Sequence, residues 1–386
     1  MTQNFLRARN ALLAFKEESE EGVESAPTPA TDSVKIEGLS ITKNAKRITT
    51  NEHTGSLDGE EDLIGGMTVG VSFNVILKGS GAAGVAPEFG GLLKACALAE
   101  VVTATAIPAS AAAAGAGGST TVAQLGSSAA GTAGLYTGMP ILFTGGVVGD
   151  SVIQDYDASK NASLVDEMSA AIDDGVDYQI PANVLYVPAS GAVPSLTFHI
   201  YRDGLRDVFV GNRGTVSVMW RTGDVCKLSF NFTGIFKERS DVAMPENVAF
   251  DASKKLIWKG GRMLIDRQAA ACSSFDLDFS NTLTNPDNPN QGEGVDAAQV
   301  TGRKITGSVD PTLTLKQTRD AFGDFRSGTP RPLHARMGSV AGNRVAMTVP
   351  RARYVDNSDS EREGIMVEGL QYQALGKDDG AYLCFY

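Results

Sequence analysis

The chain has 386 residues and a mass of 40.5 kDa, and its 43 glycines are about 11% of it against a usual share of about 7%. Charged residues make up 20%, and 34 Lys and Arg against 45 Asp and Glu leave a net charge of −11. The 42% hydrophobic share excludes wholesale disorder, and the acidic balance excludes sequence-reading DNA binding, which needs a basic footprint.

At roughly 150 residues per domain the length allows two or three domains, each able to bury a core. Residues 1–33 read as an N-terminal arm. Phe5, Leu6, Leu12 and Leu13 are spaced to share one face of a short helix docked on a neighbour. Glu17, Glu18, Glu20, Glu21 and Glu24 then form a solvated acidic run ahead of Pro27 and Pro29. From Ser33 the period changes to two. Val69, Val71, Phe73, Val75 and Leu77 alternate with small polar residues, and Leu196, Phe198 and Ile200 do the same before an Asp203-Gly204 hairpin turn. Val216, Val218 and Trp220 precede a turn at Thr222-Gly223-Asp224, and Leu228, Phe230 and Phe232 follow it. Each run has one apolar and one polar face, the mark of half-buried antiparallel strands. A helix opened by Pro87, Glu88 and Phe89 is expected to run through Leu98 to Glu100, covering one side of the sheet.

Residues from about 104 to 185 break this rhythm. The run AIPASAAAAGAGGSTTVAQLGSSAAGTAG offers little side-chain mass, and LVDEMSAAIDDGVDYQI reads as a short acidic helix. The expectation is an exposed insertion without its own core. After about Lys254 the plan restarts: Phe275, Leu277 and Phe279 alternate, a polar loop follows, and TGRKITGSV (301–309) aligns without gaps with GGMTVGVSF (65–73). Val345, Met347 and Val349 resemble the Val216 strand, and Leu370, Tyr372 and Ala374 the Leu228 strand. An internal duplication of a β domain is expected. The resulting division is an arm at 1–33, a first domain at 34–253 carrying the insertion, and a second at 254–386.

The search for chemistry finds little. Gly79, Gly81 and Gly84 form G-x-G-x-x-G between a strand and a helix, with Glu100 about 20 residues on, the order of a dinucleotide site. Against it, the preceding strand alternates, Pro87 delays the helix, and no strand–helix–strand series follows. Cys96, Cys226, Cys272 and Cys384 lack metal or redox spacing and read as reduced thiols in or near cores. His53, His199 and His334 form no zinc pattern, and His199 falls on the polar face of its strand, where exposure is expected. No G-x-S-x-G elbow occurs. Two polar loops are the candidate contact surfaces: Asn51, His53, Asp58, Glu60, Glu61 and Asp62 in the first half, and Asn285, Asp287, Asn288 and Glu293 in the second. The opening MTQNFLRARN has no apolar stretch of signal-peptide length, and Ala95–Gly118 falls short of a membrane span.

Several segments resemble the tail tube (major tail) proteins of long-tailed, non-contractile bacteriophages. They are LLAFKEESEEGVESAPTPATDSVKIEGLSI (12–41), Leu63-Ile64-Gly65-Gly66, GSGAAGVAPEFGGLLKAC (79–96), YRDG (201–204), GTVSVMW (214–220) and LSFNFTGIF (228–236). In the second half SSFDLDFSNTLT (273–284), TGRKITGSVDP (301–311) and GNRVAMTVPRARY (342–354) extend the likeness. The resemblance implies a mainly β fold: a duplicated antiparallel β-barrel or sandwich tube domain with a short flanking helix in each copy. It implies a structural subunit without catalysis or cofactor, whose homo-oligomeric rings, trimeric and pseudo-hexameric if the duplication holds, stack into a tube that passes double-stranded DNA. The partners it implies are further copies, other tail proteins at the tube ends and unspecifically passing DNA, with no membrane. The setting is the virion tail, after assembly in the host cytoplasm. The alternatives are a nicotinamide-dinucleotide enzyme, resting on the three glycines, and a surface-layer or adhesin-like β protein.

Overall fold

The computed structural model describes residues 5–53, 55, 57–58 and 61–386. The first half holds β1 (Ala11–Glu17), β2 (Ser33–Val34), β3 (Glu37–Ile48), β4 (Leu63–Ile76), α1 (Gly90–Ala95) and β5 (Leu98–Thr103). The insertion holds β6 (Ile107–Ala113), β7 (Val122–Gln124), β8 (Pro140–Gly145), β9 (Gly149–Tyr156), β10 (Asn161–Leu164) and β11 (Val176–Ile180). Then come β12 (Asn183–Pro188), β13 (Leu196–Arg202), β14 (Leu205–Arg221) and β15 (Lys227–Asp241). The second half holds β16 (Arg262–Ile265), β17 (Gln268–Ala269), β18 (Cys272–Asp278), β19 (Asn281–Thr284), β20 (Gln299–Arg303) and β21 (Thr306–Pro311). It ends with α2 (Ala321–Ser327), β22 (Arg331–Met337), β23 (Val345–Arg362), β24 (Ile365–Ala374) and β25 (Tyr382–Phe385). The fold is mainly β, built of antiparallel sheets with a half-barrel.

Alternation in the sequence becomes two-faced strands. Val69, Val71, Phe73 and Val75 of β4 are buried and the residues between them partly open, because successive side chains leave opposite faces. Phe73 lies 5.6 Å from Phe230 and 5.9 Å from Phe232 across the β4–β15 pair, so the aromatic side chains lock the register. Asp203 and Gly204, with φ of 50° and 101°, turn β13 directly into β14.

The two halves repeat one pairing order. The first runs β1, β13, β14, β15, β4, β3, and the second β16, β22, β23, β24, β21, β18. Registers repeat as well. Gly214 faces Phe232 where Tyr354 faces Tyr372, and Phe73 faces Phe230 where Val309 faces Leu370. Even the bulge recurs, between Leu196 and Phe198 and again between Arg331 and Leu333. Each half carries one short helix, α1 after β4 and α2 after β21. The gap-free match of 301–309 to 65–73 therefore aligns structurally equivalent residues. The two later likenesses hold strand for strand, β23 repeating β14 and β24 repeating β15, with Leu370 standing where Phe230 does.

Several local expectations are corrected. Residues 11–17 form a strand, not part of a helix: Leu13 pairs with Ile200 and Val34, and Leu12, Leu13 and Ala14 are buried. An ALLAF run can satisfy either period, and a waiting strand edge on β13 decides it. The first helix is confined to Gly90–Ala95. Glu88 precedes it and Ala97, at φ 59°, ends it, so Leu98 already begins β5. The segment 164–180 is not a helix; it is the end of β10, a loop, and β11.

The largest correction concerns the insertion, which has a core of its own. Its strands form a six-stranded sheet, and Ile141, Phe143, Ile153, Tyr156, Leu164, Tyr178 and Ile180 are fully or almost fully buried. That core continues into Leu185, Leu264, Ala346, Tyr382, Cys384 and Tyr386 of the flanking strands and C-terminus. Their neighbours Val184, Tyr186, Ile265, Val345, Leu383 and Phe385 face the main core instead. The strands β12 and β25 are thus apolar on both faces because they separate two cores.

Candidate assembly surfaces

β3 and β4 pair from Ser40–Ser72 out to Ile48–Leu63 and form an arm. Near the sheet β4 alternates cleanly, but toward the tip the alternation stops and both faces open. Ile48, Leu63 and Ile64 are 45%, 57% and 70% exposed. Lys46 and Arg47 beside them are exposed too. The tip loop carries the candidates Asn51, His53, Asp58, Glu61 and Asp62, all exposed, while Glu60 lies outside the described residues. Asp62 accepts a hydrogen bond from Thr49 Oγ1 at 2.8 Å and lies 4.0 Å from Arg47. Exposed apolar side chains on a charged arm are costly in an isolated chain and useful in a joint.

The second candidate loop behaves differently. Asn285 Nδ2 donates to the Asp296 carbonyl and Asn288 Nδ2 to the Asp296 carboxylate, so both amides hold the loop's own shape. Glu293 reaches the base of the first-half arm, where its carboxylate accepts the Met67 N–H at 2.7 Å. A Cβ on Gly66 would fall on the Glu293 carbonyl oxygen, so glycine is required there. Asp287 alone of the four is exposed, the other three being half-buried. Glu293 thus ties the second loop to the base of the arm and not to the tip-loop candidates, beside a groove of about 530 Å³ lined by Lys46, Ile48, Gly65, Asn285 and Val295.

Glu18, Glu21 and Glu24 of the acidic run act as fasteners, while Glu17 and Glu20 are exposed as a solvated run would be. Glu18 accepts from Ser195 Oγ (2.6 Å), Thr197 Oγ1 (3.0 Å) and the N–H groups of Gly22 and Gly211 (both 2.8 Å). Glu21 pairs with Arg213 at 2.7 Å and accepts from Gln299, linking the two halves. Glu24 meets His199 Nε2 at 2.7 Å and Lys237 at 2.8 Å. His199 is therefore buried, contrary to its expected exposure, because a strap formed by residues 18–25 covers that face of β13. Burial pushes its pKa below the ordinary 6.5 against the pull of Glu24, so a neutral imidazole donates Nε2–H to the carboxylate. Asp207, wholly buried, gathers Lys43 at 3.4 Å, Arg239 at 2.7 Å and Arg202. Burial raises its pKa, but the Arg239 hydrogen bond and the three cations prevail and hold it below the usual carboxylate range.

The glycine motif serves the protein's own backbone. Gly79 N–H donates to Asn343 Oδ1 at 2.9 Å and Gly81 N–H to the Gly342 carbonyl at 3.0 Å. A Cβ on Gly79 would strike that same carbonyl, and one on Gly84 would press on Ala104 at 3.1 Å. Glu100 accepts from the Tyr186 hydroxyl. Gly79 and Gly81 thus admit residues 342–343 of the second half, and Gly84 the backbone at 103–104, where a dinucleotide fingerprint would admit a pyrophosphate. All four cysteines are free, three of them buried, and among the described residues no group of His, Cys, Asp or Glu could hold a metal. Among them no helix is long and apolar enough to cross a membrane.

The signals for the strap were present but ambiguous: a Glu between polar residues looks alike whether it meets water or a buried serine. No curated protein matches the chain. A family model described as phage tail tube protein matches residues 8–374, a span that takes in the N-terminal strand, both repeats and the insertion. With that match laid over the repeated sheet, the chain belongs to the phage tail tube protein family.

Proposed function

We propose that the chain is the repeating subunit of a bacteriophage tail tube, in which rings of this protein stack around a lumen that conducts double-stranded DNA into the host. The observation that carries this reading is the family match over 8–374 of a chain whose two halves repeat one sheet order. Two similar units per chain make a ring of three chains pseudo-hexameric. The first unit runs to about residue 253 and the second from about 254, with β1 belonging to the first sheet. The arm loop with Asn51, His53, Asp58, Glu61 and Asp62 reaches a neighbouring ring or subunit, and other tail proteins close the tube ends. The subunit is made in the host cytoplasm and ends in the virion tail.

The mechanism is physical. DNA carries one negative charge per ~1.7 Å, and a lumen without clustered cations offers phosphates no counter-groups to grip. The net charge of −11 per chain suits such a conduit. Electron microscopy of the purified protein tests the reading. Hollow tubes or stacked rings with an acidic or neutral bore are expected, whereas particles that remain monomeric at high concentration, or a basic bore, would overturn it.

A further inference from the structure

The repeat exposes two strand edges whose counterparts are joined inside the chain. On one side β14 is paired along its length by β15; on its other side lie first β13 and then, at Ser217–Arg221, β18. This β14–β18 pairing is the seam between the halves, with Ser217 facing Asp278 and Met219 facing Asp276. In the second half β23 repeats β14. It is paired by β24 on one side and by β22 up to Ala352 on the other, and beyond Ala352 no described strand covers that edge. In the first half β3 repeats β18. It pairs with β4 alone, and among the described residues its outer edge has no strand partner. The chain therefore carries both sides of the seam a second time, unjoined.

We propose that the β3 edge of one copy pairs antiparallel with the 358–362 edge of β23 in the next copy, reproducing the β14–β18 seam between chains. This deepens the tube reading above and rests on it. The partner is a second copy, for two reasons on the structure itself. One is continuity: the seam already exists once within the chain, and the equivalent edges lie in equivalent sheets. The other is charge. β3 carries Lys43, Lys46 and Arg47 against one acid, while β23 from Val355 to Arg362 carries Asp356, Asp359 and Glu361 against one arginine. The basic edge and the acidic edge attract one another overall, and either edge meeting itself would bring like charges together.

The repeat also fixes the register. Ser217 faces Ser229, and Ser358 faces Gly369, its equivalent; on the other side Asp278 faces Thr306, and Thr42 faces Gly70. Carrying the Ser217–Asp278 pair across places Ser358 opposite Thr42, Asp359 opposite Ile41 and Ser360 opposite Ser40. The contact is heterologous, since each chain gives a different edge, so it propagates around a ring until it closes.

The double variant Ser40→Cys with Ser360→Cys tests the register. Directly opposed residues have Cα atoms about 4.5–5.5 Å apart, within disulfide range, while a partner two residues away is roughly 7–8 Å off. Mild oxidation of assembled protein is expected to give covalent multimers at least ~5-fold more abundant than from the Ser40→Cys, Ser358→Cys control. Tubes that form with no excess over that control overturn the proposed pairing. Hydrogen exchange on the unmodified protein gives an independent reading should the cysteine variants not assemble. Backbone amides in Gly38–Thr42 and Ser358–Arg362 are expected to slow at least ~10-fold on assembly. Tubes in which both segments exchange at the monomer rate overturn the pairing while leaving the tube reading intact. A protein that forms neither rings nor tubes overturns both.

Discussion

His199 and His334 occupy matching places in the two halves, on β13 and β22, and both are buried. Their surroundings differ. His199 meets the Glu24 carboxylate, whereas His334 Nδ1 lies 2.9 Å from Thr348 Oγ1 and its Nε2 has no hydrogen-bond partner among the described residues. Burial, helped by the positive charges of Arg336 and Arg262, lowers the His334 pKa to about 3. The native state therefore holds a neutral imidazole, while the unfolded chain takes up a proton near the ordinary 6.5. The stability from this group is complete above about pH 6.5 and declines as the pH falls from there toward about 3, by at most ~1.4 kcal/mol per unit. Urea titrations at pH 7 and pH 5 check this. The parent protein should lose about 2 kcal/mol more than His334→Gln between the two pH values, and equal losses would show that His334 is not the titrating group.

At the scale of elements the close approach of the second loop to the first arm depends on one missing side chain. Gly66 lies under the Glu293 backbone, and the Glu293 carboxylate binds the next residue's N–H. Gly66→Ala puts a methyl group where the Glu293 carbonyl stands, so the loop at 285–298 must lift. The expected cost is about 1–3 kcal/mol by thermal unfolding, with faster proteolytic cleavage after Asn290 or Gln291. Unchanged cleavage would mean that the loop yields without leaving β4. What could be read at this scale follows from the same physics. Val69 to Val75 and Leu228 to Phe232 announced strands because a half-buried strand must alternate, and Asp203-Gly204 announced its turn because both residues take positive φ. β1 was hidden because ALLAFKE has no alternation: inside the sheet it is covered from both faces. The glycine motif was ambiguous because glycine marks any close backbone approach, and here the approaching group is residues 342–343. Which polar loop remains open, and which is tied down, depended on contacts between residues more than 200 positions apart, such as Glu293 with Met67.

At the scale of the molecule, the insertion is part of the structure and not an ornament on it. Its composition suggested an exposed insertion without a core because Ala, Gly and Ser bury little area each, yet Phe143, Tyr156, Tyr178 and several Ile and Leu residues are placed to close a core. That core has a second wall made by Leu185, Ala346, Tyr382, Cys384 and Tyr386; the C-terminal strand β25 supplies Tyr382 and Cys384, and Tyr386 directly follows it. The ends of the insertion meet, since Thr103 pairs with Asn183, so replacing residues 105–181 by a short glycine-serine link closes the chain without stretching it. If the insertion were an independent module, the deleted protein would fold and assemble as before. If the shared wall matters, the deletion bares one face of β12 and β25, and each large side chain left in water forfeits about 1.5–3 kcal/mol of burial. The sum over Leu185, Tyr382 and Tyr386 is then comparable to the whole stability of a domain. The deleted chain is expected to aggregate or to bind a hydrophobic dye strongly, with loss of cooperative unfolding by circular dichroism. A soluble, cooperatively folding deletion protein of near-parental stability would show that the two cores are energetically separate.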